Sequence, residues 1–395
     1  MVVYGNHAVA QQAVRSVAET SDHPFELIVV DNASPDGAGV RLREEMTGVH
    51  FLMSDHNLGY GVAANLGVLH GRGRYVGILN SDIQPEPGWL SPLISVLDHD
   101  DRAAAAVPMY LEAGGRVQEA GVLVGADAQG YAYGDRLQPD DPEVGFRRSV
   151  DYGSAAAMVI RRSQFLAVGG FDPLYGLGYY EDADLSFGLR QRGLRTLYEP
   201  RSRVKHLGHS AFGREQRLGL ATTNRPIFAN RFAPQLLGRP ILRRPPWDPH
   251  RELIVRDWWA DDRILLLDHS GHLGALADAV QTARPAARVT LVSLDRTVRP
   301  TAHPGVEHLH PTAFTTTLNR WLERRRHHYG AVITDRQPSE ALGARVAWTQ
   351  PAAMRAMLGE SRPSTHLGAW ATLDQRMDAE TVLSRLGMGI GPCRR

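Results

Sequence analysis

Over the first eighty residues, short apolar runs alternate with stretches in which apolar residues return every three or four positions. "ELIVVD" (26–31) reads as a buried strand from its β-branched content, and it ends on Asp31 ahead of the turn-forming "NASPDG". "GVHFLMS" (48–54) is a second strand, and "GYGVAANLGVLHG" (59–71) repeats small and apolar residues at helical spacing. "RYVGILNSD" (74–82) is a further buried strand that runs out on Asn80, Ser81 and Asp82. Strands separated by helix-length patterns predict a parallel, doubly wound α/β sheet. In such sheets ligands bind at the carboxyl ends of strands, where Asp31 and Asp82 lie.

The pattern then loosens. "AAAAVPMYL" and "GSAAAMVIRR" are strands, with "DAQGYAYGDRLQPDDPE" as a long loop between them. Residues 236–259 are rich in proline, arginine and tryptophan and read as a linker or strap. Beyond them, "DRILLLDHSGHLGALADAVQTARPAARVTLVSLD" (262–295) reads strand, loop, helix, strand, and "YGAVITD" (329–335) adds a third strand. The expected division is 1–235, a linker at 236–260, and a smaller Rossmann-like α/β domain at 261–395.

A chain of 395 residues suits two domains. Its 44 basic and 43 acidic side chains leave a net charge of +1, which gives no sign of nucleic-acid binding through bulk charge. The single cysteine, Cys393, excludes an intrachain disulfide and a cysteine-built zinc site, and it fits a reducing compartment. No apolar run approaches the ~20 residues that span a bilayer. The start, "MVVYGNHAVAQQ", lacks the basic and apolar regions of a secretion signal. The expectation is a soluble, cytoplasmic protein, with the inner face of a membrane and a homo-oligomer left open.

Chemistry concentrates in "YYEDADLSFGLRQRG" (179–193), where Glu181, Asp182 and Asp184 fall within four positions at the start of an amphipathic helix. Acids in a first turn satisfy free N–H groups and suit the helix dipole. A third acid on the opposite side of the turn adds repulsion, so the residues alone leave capping and chemistry open. Asn80 and Asp82 leave their strand on the same side of the pleat and offer oxygen ligands of the kind Mg²⁺ or Mn²⁺ prefers. Asp31 suits either a nucleoside contact or an Asx turn. His206, after a short strand, could complete a cation's coordination, with His209 nearby.

The order "VVDNASPDG", "NLGYGVAANLG", "YVGILNSD", "GGFDPLYGLGYYEDADLSFGLRQRG", "VKHLGHS" resembles the glycosyltransferase family 2 proteins of the GT-A fold, closest to the rhamnosyltransferase-like and galactofuranosyltransferase-like branch. The likeness covers roughly residues 1 to 215. It implies a doubly wound nucleotide-sugar-binding domain and a metal-dependent inverting transfer from a dTDP- or UDP-sugar to a glycan, lipid-linked glycan or natural product. Asp31 would contact base or ribose, Gly59 would let backbone approach the donor, and Asn57 and Asn65 belong to the same segment. Tyr4 borders the base pocket. Asn80-Ser81-Asp82 takes the place of the family's D-x-D, so that Asp82 and His206 would hold Mg²⁺ or Mn²⁺. Asp182 matches the general base, with Glu181 and Asp184 supporting it or shaping the acceptor pocket.

Tyr152, Gly178, Tyr179 and Tyr180 would line the acceptor side, either as a mobile wall or packed on the core. Two departures stand out: Asn80 removes one charge from the D-x-D, and only Met1, Val2 and Val3 precede Tyr4, which implies a misassigned start or a trimmed first strand. These departures favour the alternative of a catalytically silent nucleotide-sugar binder or assembly subunit. The rear segment faintly resembles the start of a GT-B-like domain, and a scaffold role is expected of it. Its loop "SGHLG" could bind phosphate, and "WLERRRHHYG" (321–330) is either a basic patch for anionic lipid or solvated helix surface.

Overall fold

The computed structural model describes residues 1–208, 213–242, 249–294, 303–309 and 317–336, and parts of 342–384. His209, Cys393 and the 243–248 stretch of the expected linker lie outside the described residues. The chain divides into two compact units, Met1–Val144 with Arg148–Ile241, and Gly145–Arg147 with Leu242–Arg395.

The first unit opens with β1 (Val2–Val3), α1 (His7–Thr20), β2 (Leu27–Asp31), α2 (Ala38–Glu45), β3 (Val49–Met53), α3 (Tyr60–His70) and β4 (Tyr75–Leu79). Strands β1, β2 and β3 form a parallel sheet, with Val3 opposite Asp31 and Asp31 opposite Met53. There follow β5 (Ile83–Pro85), α4 (Leu90–His99), β6 (Ala103–Leu111), β7 (Val117–Glu119), β8 (Val122–Val124), β9 (Gly130–Ala132), β10 (Arg148–Val150) and β11 (Ala157–Arg161). The unit ends with α5 (Arg162–Ala167), α6 (Glu181–Gln191), β12 (Arg195–His206), α7 (Arg214–Arg231) and α8 (Ala233–Leu236).

The second sheet runs β10-β12-β6-β11-β4. It is mixed: β12 is parallel to β6, while β11 is antiparallel to both β6 and β4. The expected parallel winding is therefore confined to β1–β3 and to the β6–β12 pair. A parallel bridge from Val2 to Asn80 joins the two sheets at the end of β4. The long loop expected at 127–143 contains β9, which pairs with β8 just ahead of it, Leu123 opposite Tyr131.

The core follows from residue size and period. "AAAAV" of β6 is wholly buried, and its small side chains let α4 lie close, presenting Leu90, Leu93, Ile94 and Leu97 at helical spacing. A second cluster joins α6 to α7. Phe187 meets Phe228 and Phe232 at ring distances of 4.9 and 5.3 Å, which welds α7 against the helix that begins with the acids.

The second unit contains α9 (Pro249–Arg256), β13 (Arg263–Asp268), α10 (Leu273–Ala283), β14 (Arg288–Ser293), β15 (Glu307–Leu309), α11 (Thr317–Arg324), β16 (Ala331–Thr334), β17 (Met354–Leu358) and β18 (Ala371–Leu373). Its sheet is parallel throughout, in the order β15-β14-β13-β16-β17-β18. Part of the expected linker is thus the helix α9. Asp257, just after it, is fully enclosed by Arg256, Arg288 and His328, at 2.7, 3.0 and 2.9 Å.

The "WLERRRHHYG" stretch divides: Arg324 and His327 are exposed, as expected of a solvated helix surface, whereas Arg325 and His328 are buried. Arg325 is buried, pairs with Glu307 at 2.8 Å and lies 4.1 Å from the Trp321 ring centroid. The paired Asp257 carboxyl is held well below its ordinary range, first by the charges of Arg256 and Arg288, which outweigh its burial.

Candidate active site

Just before α6 the chain bends sharply. Gly176, Gly178, Tyr179 and Tyr180 have φ of 60°, 145°, 73° and 78°. Left-handed backbone at a bulky residue costs of order 1–3 kcal/mol, and here two tyrosines in succession adopt it. The bend aims the first turn of α6 so that Glu181 and Asp182 line a cleft of about 860 Å³. The Asp182 carboxylate accepts the Ala183 N–H at 2.8 Å.

Asp184 does not share the cleft. Two residues along a helix turn ~200°, so its carboxylate points the other way, where it accepts the Tyr175 hydroxyl at 2.7 Å and Arg231 at 2.6 Å. It fastens α6 to α7 and leaves Glu181 and Asp182 as the acids of the cleft.

The opposite wall is built by β5 and β12. Their antiparallel register sets His206 opposite Ile83, and Leu207 donates its N–H to the Asp82 carbonyl at 3.0 Å. This brings His206 Nε2 to 3.3 Å from Asp82 Oδ1 and 3.5 Å from the Asn80 amide. The other ring nitrogen, Nδ1, lies 3.1 Å from Gln118 Oε1. An amide oxygen only accepts, so Nδ1 is the donor of that pair; it anchors the ring and leaves Nε2 facing Asp82, as the outer partner of a metal-ligating histidine does. Among the described residues no three His, Cys, Asp or Glu side chains group as a metal cage. Asp82, His206 and the Asn80 amide suit a hard cation that keeps water and phosphate as its remaining ligands.

Tyr4, Asn57, Asn80, Ser81 and Asp82 all line this cleft, as do Tyr152, Gly178, Tyr179 and Tyr180. Three expected donor residues serve other ends. Asp31 is buried, and its Oδ1 accepts both the N–H and the hydroxyl of Ser34, three residues on. Its neighbour Asn32 faces the cleft instead, donating to Asn57 Oδ1 at 2.9 Å and accepting the Leu58 N–H at 2.8 Å. Asn65 clamps Phe171 through both backbone groups, at 2.8 and 2.9 Å.

Gly59 admits not the donor but the loop ahead of α6. A Cβ there would stand 2.1 Å from the Gly176 carbonyl oxygen, and its φ is 82°. Gly59→Ala should therefore lower the melting temperature and cut turnover by about tenfold or more, since reacting groups displaced by about 1 Å lose up to ~10²-fold. Gly188→Ala at a half-buried position of α6, where a Cβ meets nothing within 4 Å, should match or exceed the parent in the same melt.

The aromatic wall is packed. Tyr180 donates its hydroxyl to the Ala128 carbonyl at 3.0 Å, and its ring lies 5.5 Å from that of Phe228. Gln118 and Glu119, in "RVQEAG", escaped the sequence reading because no motif marks them; only their place on β7 brings them to the cleft. Glu119 accepts the Ser154 N–H at 2.9 Å, and burial pushes its carboxyl up to about 7. Arg217 and Arg225 of α7 also reach the cleft.

Burial raises both cleft acids of α6, Glu181 to about 8 with help from the Asp182 charge, and Asp182 to about 6. Glu181 Oε2 has no hydrogen-bond partner among the described residues, which fits a neutral carboxyl beside an ionised one. In the second unit, the phosphate reading of the "SGHLG" loop meets occupied donors. The N–H groups of His269 and Ser270 go to Asp335, and that of Gly271 goes to Asp268, each at 2.8 Å.

Residues 1–139 match the family model "Glycosyl transferase family 2". The chain is 26% identical over 255 residues to an N-acetylglucosaminyl-diphospho-decaprenol L-rhamnosyltransferase of Mycobacterium tuberculosis, covering 58% of this chain and 81% of that one. It is 31% identical over 196 residues to a pre-mycofactocin glycosyltransferase of the same organism, covering 47% and 38%. Two solved structures overlap in part. GalNAc-T7 with UDP, GalNAc and Mn²⁺ has a TM-score of 0.44 at 18% identity, over 52% of this chain and 43% of its own. The mannosyltransferase PcManGT of Pyrobaculum calidifontis with GDP-Man and Mn²⁺ has 0.42 at 17%, over 59% and 62%. With the motif order and the two mycobacterial relatives in agreement with the family model, residues 1–139 of this chain are a glycosyltransferase domain of family 2.

Proposed function

We propose that this domain is a metal-dependent inverting enzyme that moves a sugar from a nucleoside-diphosphate donor to an acceptor hydroxyl, with Asp182 as general base. The observation that carries this reading is that Asp182 and the Asp82–His206 pair line one cleft. Asp182 takes the proton from the acceptor oxygen as that oxygen attacks the anomeric carbon, and the sugar–phosphate bond breaks on the far side. Its raised pKa suits the task, because a carboxylate that titrates near the working pH is a stronger base than an ordinary one and is still ionised. Glu181, neutral beside it, spares the pair a second buried charge. Asp82 and His206, with the Asn80 amide, would hold Mg²⁺ or Mn²⁺, which neutralises charge on a departing diphosphate.

The mycobacterial relative's name specifies a diphospho-lipid-linked acceptor. This supports a lipid-linked glycan as the acceptor here, with a dTDP- or UDP-sugar as donor. Such an acceptor is met at a membrane surface, and among the described residues no helix is long and apolar enough to cross one.

A panel of dTDP- and UDP-sugars, assayed for transfer and for donor hydrolysis after chelation and after adding back Mn²⁺ or Mg²⁺, tests the reading. Chelation should reduce turnover at least tenfold, and either ion should restore it. Full activity in excess chelator would remove the metal from the proposal, and no turnover of any donor under any condition would favour a silent binder.

A further inference from the structure

Helix α7 begins well beyond the residues the family model matches, yet it grips the segment that aims the proposed base. Asn224, only 4% exposed, points its amide nitrogen at three successive turns of that segment. Its nitrogen lies 2.9 Å from the carbonyl oxygens of Tyr175 and Gly178 and 3.0 Å from that of Tyr179, so its two hydrogens serve three acceptors, one of them shared. About two turns further along α7, Arg231 spans Asp172 at 2.7 Å and Asp184 at 2.6 Å, one on each side of the bend. Between these fastenings lie Gly176, Gly178, Tyr179 and Tyr180, all at positive φ.

Two tyrosines held in the left-handed region relax unless their surroundings hold them there. Backbone hydrogen bonding within the bend is sparse. The Gly178 N–H reaches the Tyr175 carbonyl at 3.3 Å and the Gly176 N–H reaches Pro173 at 3.0 Å, whereas the carbonyls of Gly178 and Tyr179 turn to Asn224. The side chain therefore gives these carbonyls a donor from outside the bend.

We propose that Asn224 is a positioning residue: by holding the left-handed bend at 178–180 it fixes the direction in which α6 presents Asp182 to the acceptor. The inference rests on Asp182 being the base. It adds that the catalytic geometry is set from a helix outside the motif region, through one buried amide.

The test uses Asn224→Ala and the near-isosteric Asn224→Asp, which keeps the volume and loses the donors, with Asn224→Ser as a milder variant should either fail to fold. Each is measured for kcat, donor KM, nucleotide binding by calorimetry and thermal melting, beside Asp182→Asn. A released bend should lower kcat by about 10–10²-fold, the scale of a ~1 Å misplacement. Donor KM and nucleotide affinity should stay within about twofold, and Ser should fall between Asn and Ala. Parent-like kcat in Asn224→Ala and Asn224→Asp, with Asp182→Asn inactive, would overturn the positioning role alone. Loss of nucleotide binding in step with kcat would also overturn it, because it would mean general damage to the fold. Near-normal turnover in Asp182→Asn would instead sink the base assignment on which the inference rests.

Discussion

Asp182→Asn should lower sugar transfer by about 10²–10⁴-fold, the usual worth of a positioned base, while the protein still binds donor nucleotide. The amide has nearly the shape of the carboxylate and can still accept the Ala183 N–H that holds it, so folding and donor contacts on the Asp82–His206 wall should persist. What it cannot do is take a proton. The parent should show an acidic limb in kcat/KM near pH 6, the value to which burial raises Asp182, well above an ordinary aspartate. The residual activity of the variant should lose that limb. Near-parental turnover, or an acidic limb that survives the substitution, would remove Asp182 from its role.

The same shift makes a claim about stability, and its sign is fixed. A carboxyl whose pKa is higher folded than unfolded binds its proton more tightly in the folded state. Unfolding then releases a proton between the ordinary aspartate range and about pH 6, so stability falls as pH rises through that window and levels off above it. Glu181 and Glu119, raised to about 8 and about 7, extend the decline toward neutrality. Asp182→Asn, with no charge to bury, should melt at or above the parent temperature at pH 7. Chemical denaturation at pH 4, 6 and 7.5 would register it. An active-site residue that costs stability is the usual trade for reactivity.

The largest expected loss of stability lies behind α6 in the same unit, where Arg239 stands 5.5 Å from the Phe187 ring centroid. Asp151 and Arg239 are almost fully buried and face each other in a fork, with both N–H···O distances at 2.8 Å. Asp151 also accepts the Val124 N–H at 2.7 Å, and Arg239 donates to the Val124 carbonyl at 2.8 Å. Asp151→Ala would leave a guanidinium that cannot lose its charge in a dry site and orphan a backbone N–H. Breaking a buried pair in this one-sided way costs about 3–5 kcal/mol, roughly 6–20 °C in melting temperature for a unit of this size. Replacing both partners by apolar residues (Asp151→Leu with Arg239→Met) should recover part of the loss, because no charge is then stranded. A single variant that melts within 2–3 °C of the parent would show that water reaches the site.

How much of this was legible in the chain depends on range. "ELIVVD", "RYVGILNSD" and "AAAAVPMYL" became strands because local β-branched or small-residue content, with polar ends, suffices to specify a buried strand. The direction of pairing was not legible. β11 runs against both β4 and β6, and nothing in "AMVIR" itself distinguishes a parallel from an antiparallel neighbour. The helix-forming character of α9 was hidden by the surrounding prolines, and the burial of Arg325 and His328 depended on Glu307 and Asp257, 18 and 71 residues away. A run of basic side chains looks solvated until its partners are known.

By its own order and spacing, the sequence determined that Asn80, Ser81 and Asp82 would follow a strand and that a helix would open on Glu181, Asp182 and Asp184; His206, expected after a short strand, is instead the last residue of the 12-residue β12. Tertiary structure alone decided which of these groups meet. Asp182 faces the cleft and Asp184 faces Arg231, because a left-handed bend pinned from α7 sets the phase of α6. Asn32 reaches the cleft in place of Asp31, because Ser34 captures the carboxylate. Gly59 yields to a carbonyl more than a hundred residues downstream. The physical reason is common to all three: residue type and period are local properties, whereas the direction of a side chain is fixed by hydrogen bonds and contacts that only long-range packing brings within reach.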